Sequence, residues 1–175
     1  ESGSTWSGCT DSDWSVPGNW YGGAVPAAGA DITVPHVPNF PVLSGAFSCN
    51  SLVIEPAARM TVSATGALTV AGTLTINSAG TANSGSLLVE DGGTVSGTVI
   101  YNRFLMPEDT RGDRHFFSSP VGGQTIGNFT TVNSSRIAHD GTNYQIWSYA
   151  EISDSWPIVS SGEFESGQGY NIDQA

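Results

Sequence analysis

A loose repeat runs through the middle of the sequence and opens three times, at Leu52-Val53-Ile54-Glu55, Leu68-Thr69-Val70 and Leu87-Leu88-Val89-Glu90. A second short apolar run follows each opening, at Met60-Thr61-Val62, Leu74-Thr75-Ile76 and Val95 to Tyr101. Small or polar residues separate these strand-like runs. Paired short strands with small-residue corners are typical of a right-handed parallel β-helix, whose stacked coils bury what one coil cannot. A β-meander of the same strands is the alternative.

The segments on either side of the repeat differ from it. Residues 1–50 contain three tryptophans, Trp6, Trp14 and Trp20, and are rich in proline, which disfavours helix. We expect short strands and turns around an aromatic cluster, forming an N-terminal cap. A bare coil end would otherwise present unpaired backbone groups.

Repetition stops after residue 100. Residues 101–175 contain strand-like runs around Phe116-Phe117, Tyr144 to Tyr149 and Gly169 to Ile172. They predict a small antiparallel β module that continues beyond the chain. No window shows a convincing helical period. The sequence therefore predicts an all-β protein with a cap at 1–50, β-helix coils at 51–100 and the β module at 101–175.

Composition limits the range of partners. The 175 residues include 16 Asp and Glu but only five Lys and Arg, all five of them arginine, which gives a net charge of −11. Such a chain is poorly suited to neutralise the phosphates of nucleic acid or to bind an anionic membrane. The sequence has no apolar stretch of the ~18 residues that a membrane-spanning helix needs.

Two cysteines, Cys9 and Cys49, are the whole thiol content of the chain. An even count in an exported protein favours a disulfide, which would fasten the cap to the first coil. Two buried free thiols in a cytosolic protein are the alternative. A metal site at the cysteines is disfavoured, because no second ligand pair accompanies them at a metal-binding spacing.

Several segments together resemble the opening of large secreted proteins of Bacteroidetes. The resemblance rests on the tryptophan-rich entry, on Pro41-Val42-Leu43, on Cys49 before Leu52-Val53-Ile54, on His115 to Val121 and on Gly167-Gln168-Gly169-Tyr170. It implies an extracellular or cell-surface location, type IX secretion and adhesin-like or substrate-binding modules. The C-terminal sorting domain of such proteins is missing, which suggests a piece of a longer chain. Arg114-His115-Phe116-Phe117 departs from the pattern, which usually has Trp beside His.

Asp11 and Asp13 alternate in a loop between two tryptophans. Alternating carboxylates with backbone carbonyls are able to bind Ca²⁺, so calcium is the one cofactor for which the sequence offers candidate ligands. The complete calcium-loop motif is absent. The alternative is that the two side chains stabilise turns by bonding their own backbone.

The densest ionisable cluster lies at the start of the third segment. It comprises Glu108, Asp109, Arg111, Asp113, Arg114 and His115. Paired carboxylates suit glycoside cleavage or a lyase, whereas solvated loop charges are the simpler interpretation. The tripeptide Arg111-Gly112-Asp113 is also the sequence of an integrin-binding motif. No nucleophile elbow or phosphate-binding loop is present, and His36, His115 and His139 are scattered.

Three aromatic residues, Trp147, Tyr149 and Trp156, are candidates for a platform on which a sugar stacks, although aromatic residues on strands more often belong to a core. We therefore expect a non-catalytic extracellular surface module for adhesion, matrix structure or glycan binding. Its partners would be glycans or other surface proteins. A β-helix polysaccharide lyase or glycoside hydrolase and a self-assembling extracellular fibre subunit are the alternatives.

Overall fold

The structure, a computed structural model, describes residues 4–80, 82–105 and 114–175. The described chain is mostly β-strand, with one short α-helix and two single 3-10 turns, which agrees with the predicted all-β class. It separates into two compact units, Glu1–Phe104 and Leu105–Ala175, here called unit 1 and unit 2.

Unit 1 is built from nine strands that pair in parallel. They are β1 (Ser4–Thr5), β2 (Asp31–Val34), β3 (Val42–Leu43), β4 (Ala46–Cys49), β5 (Ser51–Ile54), β6 (Arg59–Val62), β7 (Ala67–Ile76), β8 (Ser86–Val89) and β9 (Thr94–Tyr101). The first row of pairs joins β1, β2, β5, the end of β7 and the end of β9. The second joins β4 to the starts of β7 and β9. The third joins β3, β6 and β8.

Matching aliphatic residues stack from strand to strand within each row. In the first row Ile32 lies beside Leu52, Leu52 beside Leu74, and Leu74 beside Val99. Ile32, Leu52 and Leu74 are almost fully buried, and residues of all three rows belong to one core. Because side chains alternate along a strand, the threonines and serines between these positions point away from that core.

The repeat suggested by the sequence has a different register in the structure. The three opening stretches at Leu52, Leu68 and Leu87 do not lie beside one another: Leu52 pairs with Leu74, Leu68 with Val95, and Met60 with Leu87. The parallel strands form three rows, whereas the predicted repeat unit contained two strands. The spacing of apolar runs alone does not distinguish these two registers, because every run has the same short alternating pattern.

The predicted tryptophan cluster is confirmed. The Trp14 and Trp20 ring centroids lie 4.7 Å apart in an edge-on arrangement, and Trp6 lies within 6.1 Å of both rings. Fully buried Asn19 holds the loop around them: its Oδ1 accepts from the backbone N–H groups of Thr10 and Asp11 at 2.9 and 3.0 Å. The tryptophans belong to the same core as the parallel strands.

Unit 2 contains a three-stranded antiparallel sheet and a helix. The strands are β10 (Arg114–Phe117), β11 (Ile146–Ser148) and β12 (Tyr170–Asp173), with β12 in the middle. Ile146, Tyr170 and Ile172 face the core of this unit. The segments predicted to be strands in this part of the chain are therefore strands.

The helix of unit 2, α1 (Ile126–Val132), was not predicted. Its sequence Ile-Gly-Asn-Phe-Thr-Thr-Val contains glycine and β-branched residues, which are poor helix formers. Two features outside that propensity stabilise it. The Thr125 hydroxyl caps the helix by accepting from the Asn128 N–H at 3.2 Å, and Ile126 and Phe129 pack into the core of unit 2.

Candidate functional site

The outward face of the unit 2 sheet presents a row of aromatic and polar side chains. Alternation along the strands turns Phe117, Tyr170 and Ile146 toward the core and their neighbours away from it. In register, Phe116 of β10 lies beside Asn171 of β12. Asn171 in turn lies beside Trp147 of β11. We call this surface the aromatic face.

The segment after β11 pairs with β11 and so widens the aromatic face at that edge of the sheet. Ile158 forms an antiparallel bridge with Trp147, and the Val159 N–H donates to the Ile146 carbonyl at 2.8 Å. Trp156 lies two residues before Ile158 and therefore on the same face of the extended sheet. Local pairing thus adds a second tryptophan to this surface.

The rings on this face form a continuous exposed group. Trp156 lies between Tyr149, at a centroid distance of 5.2 Å, and Phe116, at 5.9 Å. The exposed fractions are 72% for Phe116, 45% for Trp156 and 40% for Tyr149. Three exposed aromatic rings in contact are uncommon on a soluble surface and typically mark a contact site.

The rings of Phe116 and Trp156 meet above the sheet. In register, Asn171 and Trp147 lie between the strand of Phe116 and the segment of Trp156. Ring contact across that gap covers the middle strand, which explains why Asn171 is only 7% exposed on an outward face. The buried Asn171 Oδ1 accepts no hydrogen bond from the described residues. An unpartnered buried acceptor is costly, so the position of Asn171 destabilises the folded chain.

A cation lies at one end of the same face. The Arg114 guanidinium carbon is 5.2 Å from the centroid of the Trp147 ring, and Arg114 Nε lies 3.2 Å from Asp173 Oδ1. The Arg114 side chain is 65% exposed, so its remaining N–H groups face solvent. The aromatic face therefore offers hydrogen-bond donors beside apolar ring surface.

The phenol of Tyr149 is fixed in place by a loop residue. Its hydroxyl donates to Asp154 Oδ1 at 2.7 Å. This hydrogen bond, with a smaller contribution from desolvation, raises the pKa of Tyr149. Asp154 ends a 3-10 turn with a left-handed φ of +46°, a conformation that short polar residues tolerate.

The three residues expected to form a sugar platform lie together on this face. Tyr149 and Trp156 are exposed, and Trp147 is half-buried beneath Arg114. Sequence reasoning missed Phe116, Arg114 and Asn171 as members of the site. Strand alternation in Arg114 to Phe117 was a usable signal, but the pairing of β10 with β12 joins residues far apart in the chain and is not visible in the sequence.

Asp11 and Asp13 form turns in the structure. Asp11 Oδ1 accepts from the Asp13 N–H, and Asp13 Oδ1 accepts from both the N–H and the hydroxyl of Ser15, all at 2.8 Å. The bonds from Ser15 lower the pKa of Asp13. Within the described ranges no group of three acidic, histidine or cysteine side chains is placed to hold a metal ion. The geometry therefore matches the turn-forming alternative to the calcium site.

The Cys9–Cys49 disulfide is not formed in the structure, where both cysteines are free thiols. Cys49 ends β4 and points into the core of unit 1. Burial, with a smaller contribution from the charge of Asp31, raises its pKa to about 11. Cys9 lies in an exposed loop, with its Sγ 4.0 Å from the Ser7 carbonyl oxygen. One thiol is therefore exposed and the other is buried.

Most of the ionisable cluster lies outside the described residues, including Glu108, Asp109 and the Arg111-Gly112-Asp113 tripeptide. Its described members are Arg114, on the aromatic face, and His115, whose buried Nε2 has no partner among the described residues. The histidines do not converge on a serine: in the described part of the chain no serine hydroxyl hydrogen-bonds to His36, His115 or His139. That part also contains no helix long and apolar enough to cross a membrane.

Comparison with known proteins adds one finding. A family model described as a domain of unknown function matches residues 5–175. The match spans the tryptophan cluster, the parallel strands and the aromatic face together. No curated protein and no solved structure matches the chain.

Proposed function

The chain belongs to the DUF8693 family of domains of unknown function, and from this premise we propose that it is a non-catalytic extracellular module that binds a glycan on its aromatic face. The observation that carries the proposal is the continuous group of exposed rings formed by Phe116, Trp156 and Tyr149. A pyranose has a flat face of C–H groups, and an exposed ring is a surface on which such a face packs.

Polar groups beside the rings supply the other half of sugar recognition. Arg114 presents N–H donors, and Asp154 presents carboxylate oxygens next to Tyr149. Ligand sites commonly combine apolar surface with a few fixed polar groups that set orientation. Glycan hydroxyls match both the donors and the acceptors of this set.

We further propose that the parallel strands of unit 1 form a short right-handed β-helix. Three rows of parallel pairs and one continuous aliphatic core support this assignment. Parallel crossovers in one sheet are right-handed in nearly all known proteins.

The extracellular location rests on the resemblance to secreted Bacteroidetes proteins and on composition. Hydroxyl-bearing residues rather than lysines cover the outward positions of the parallel strands, for example Ser48, Thr69 and Ser96 in one row. Adhesion or matrix attachment through a bound glycan is the role consistent with this surface. Detection of the native protein outside the cell, or on its surface, tests the location.

A glycan array probed with the intact chain tests the binding proposal, followed by calorimetric titration of the best glycan. Replacing a central aromatic contact typically weakens binding about tenfold or more. We expect that loss for Trp156→Ala and no loss for Tyr21→Ala, since Tyr21 is an exposed aromatic residue of unit 1 outside the aromatic face. Equal loss in both variants, or binding by neither the array nor the titration, contradicts the proposal.

An enzyme acting on the same glycan is distinguished by a second assay. The array hits are incubated with the wild-type chain, and the release of reducing ends or unsaturated sugar is followed over time. We expect no release. Product formation that depends on the protein overturns the non-catalytic part of the proposal and favours the lyase or hydrolase alternative.

One observation favours self-association as a second candidate function. Among the described residues β8 and β9 each pair with one neighbouring strand, so the third row ends on an open edge at β8 and the first two rows end at β9. Leu88, Val89 and Ile100 on these strands are 54%, 41% and 47% exposed. Open apolar edges are templates for pairing with another chain. Light scattering over a concentration series tests this candidate, and a strict monomer at high concentration excludes it.

A further inference from the structure

Unit 1 contains an open polar groove of about 650 Å³ that the aromatic face does not involve. Its chemistry comes from six lining side chains: His36, Phe40, Arg59, Asn83, Ser84 and Ser86. We call it the Arg59 groove. The volume is within the range of small-molecule sites in proteins.

Arg59 is held over the groove by an aromatic ring. It begins β6, and alternation places it outward while the next residue, Met60, is buried in the core. Its guanidinium carbon lies 5.9 Å from the centroid of the Phe40 ring, and the His36 ring lies 5.7 Å from the same centroid. Phe40 packs against the core, so it offers a firm surface on which both nitrogen-bearing groups rest.

The groove has a positive charge in a strongly acidic chain. No Asp or Glu lines it, and among the described residues Arg59 has no ion-pair partner. A second guanidinium adjoins it, because Arg103 Nη1 donates to Ser84 Oγ at 2.6 Å. Two of the five arginines of a chain with net charge −11 therefore meet one groove.

The backbone at the rim of the groove is strained. The turn Glu55–Ala58 is closed by a hydrogen bond from the Ala58 N–H to the Glu55 carbonyl at 3.0 Å, and within it Ala57 has a φ of +62°. The left-handed region is energetically unfavourable for a non-glycine residue, because its Cβ comes too close to the following carbonyl oxygen. Ala57 lines the groove, and strained residues of this kind cluster at ligand sites.

We propose that the Arg59 groove binds the carboxylate of an acidic sugar within a glycan chain. A planar guanidinium pairs with a carboxylate through two parallel hydrogen bonds, a geometry that an ammonium does not provide. The hydroxyls of Ser84 and Ser86 and the amide of Asn83 are matched to sugar hydroxyls. This site is in unit 1 and is independent of glycan binding on the aromatic face.

Titration of the intact chain with a short oligomer of galacturonic acid tests the proposal, with a neutral galactose oligomer of the same length and a sulfated one as comparison probes. We expect the uronate oligomer to bind, the neutral one not to bind, and the sulfated one to bind at least tenfold more weakly. Affinity for the uronate should fall as salt rises. Equal binding of the neutral oligomer overturns the proposal, and so does a preference for the sulfated one.

Variants assign the binding to the groove. Arg59→Gln should lower the affinity for the uronate oligomer at least tenfold, and Arg59→Lys should restore only part of it because the fork geometry is lost. Arg136→Gln removes the same charge from an exposed arginine of unit 2 and should leave affinity within twofold. Thermal unfolding of Arg59→Gln within a few degrees of wild type shows that the variant folds. Unchanged affinity in folded Arg59→Gln overturns the site.

The same titration separates this site from the aromatic face. Trp156→Ala should leave uronate binding unchanged even if it abolishes binding of the array glycan. Loss of uronate binding in Trp156→Ala, with retention in Arg59→Gln, transfers the ligand to the aromatic face and overturns the groove proposal.

Discussion

Asp31 and Ser51 occupy the same register position on neighbouring parallel strands, and the Ser51 hydroxyl donates to Asp31 Oδ1 at 2.6 Å. The Asn50 amide donates to the same oxygen at 2.7 Å. These bonds lower the pKa of Asp31, with Ser51 as the larger cause and desolvation as a partial offset. The Asp31 carboxylate thus links β2 to β5, two neighbouring strands of the first row, through solvent-exposed hydrogen bonds.

The first prediction concerns the acid stability of this link. Because the pKa of Asp31 is lower in the folded chain than in the unfolded one, its contribution is fully present above the unfolded value of about 4. It is lost as pH falls through the folded value. We therefore expect Asp31→Asn to lower the unfolding temperature at pH 7, with the gap to wild type closing as the pH falls below about 4.

Thermal melts followed by circular dichroism across that pH range measure the gap. Asp91→Asn makes the same charge change in an exposed turn, where the described residues give the side chain no hydrogen bond. Its melting temperature should stay close to wild type throughout. A gap for Asp31→Asn that is the same at every pH contradicts the link.

The second prediction concerns the two thiols. Cys9 is exposed, whereas Cys49 is buried with a pKa raised to about 11, and the thiolate is the reactive form. We expect one thiol per folded chain to react quickly with a disulfide reagent at pH 8. The second should react only after denaturation. In Cys9→Ala the fast reaction should disappear.

Intact mass measured without reductant detects the opposite result, a disulfide between the two cysteines. A mass lower by two hydrogen atoms, together with no reactive thiol in the folded chain, restores the Cys9–Cys49 disulfide. Material purified from an oxidising compartment is the stricter sample, because disulfides persist there.

The parallel strands illustrate how far the sequence predicts the fold. Short aliphatic runs such as Leu74-Thr75-Ile76 identify strands, since alternation is a local property of the chain. Register is not local. Gly72 lies inside β7, and a Cβ there would be 2.9 Å from the Asn50 carbonyl oxygen. This close backbone contact fixes where β7 shifts from pairing with β4 to pairing with β5. Sequence spacing does not report that contact.

The aromatic face shows the same limit at the site. Trp147, Tyr149 and Trp156 are near in sequence, and an edge pairing within one hairpin-like segment brings them together. Phe116 and Asn171 come from opposite ends of unit 2 and join the site only because β12 lies between β10 and β11. Local pattern therefore predicted the part of the site that local pairing builds, and missed the part that depends on strand order.

The third prediction tests the strained turn at the Arg59 groove. Replacing Ala57 by glycine removes the left-handed strain, which stabilises the folded chain, but it also raises the entropy of the unfolded chain, which opposes folding. Because the strain is the larger effect, we expect a net increase of about 0.5–1 kcal/mol in the free energy of unfolding. Ala71→Gly is the matched control: Ala71 is exposed within β7 and has no positive φ. That change should cost about 0.5–1 kcal/mol. Urea unfolding measures both, and effects of the same sign contradict the strain.

The fourth prediction concerns the Asn19 side chain beneath the tryptophans. It is fully buried, and its amide group also donates to Asp11 Oδ1 at 2.6 Å and to the Asp13 carbonyl at 2.9 Å. Asn19→Ala removes all four hydrogen bonds of this side chain and should lower the free energy of unfolding by about 2–4 kcal/mol. Asn19→Asp should cost more, since it turns a donor into an anion facing the Asp11 carboxylate.

Tryptophan fluorescence during urea unfolding reports these losses directly, because Trp14 and Trp20 lie beside the loop. Asn128→Ala, on the exposed side of α1, is the comparison for an asparagine outside the loop. Its effect should stay below about 1 kcal/mol. Similar losses in the two variants would show that the Asn19 hydrogen bonds contribute no more than a surface amide.

The fifth prediction follows from the unpartnered acceptor on the aromatic face. Asn171 Oδ1 is buried between Phe116 and Trp147 without a hydrogen bond from the described residues. Asn171→Leu has nearly the same shape and removes that group, so it should raise the free energy of unfolding by about 1 kcal/mol. Asn171→Asp places a charge at the same buried position and should lower it. Urea unfolding of the ligand-free chain decides, and a loss of stability in Asn171→Leu would mean that the amide has a stabilising partner, such as a buried water.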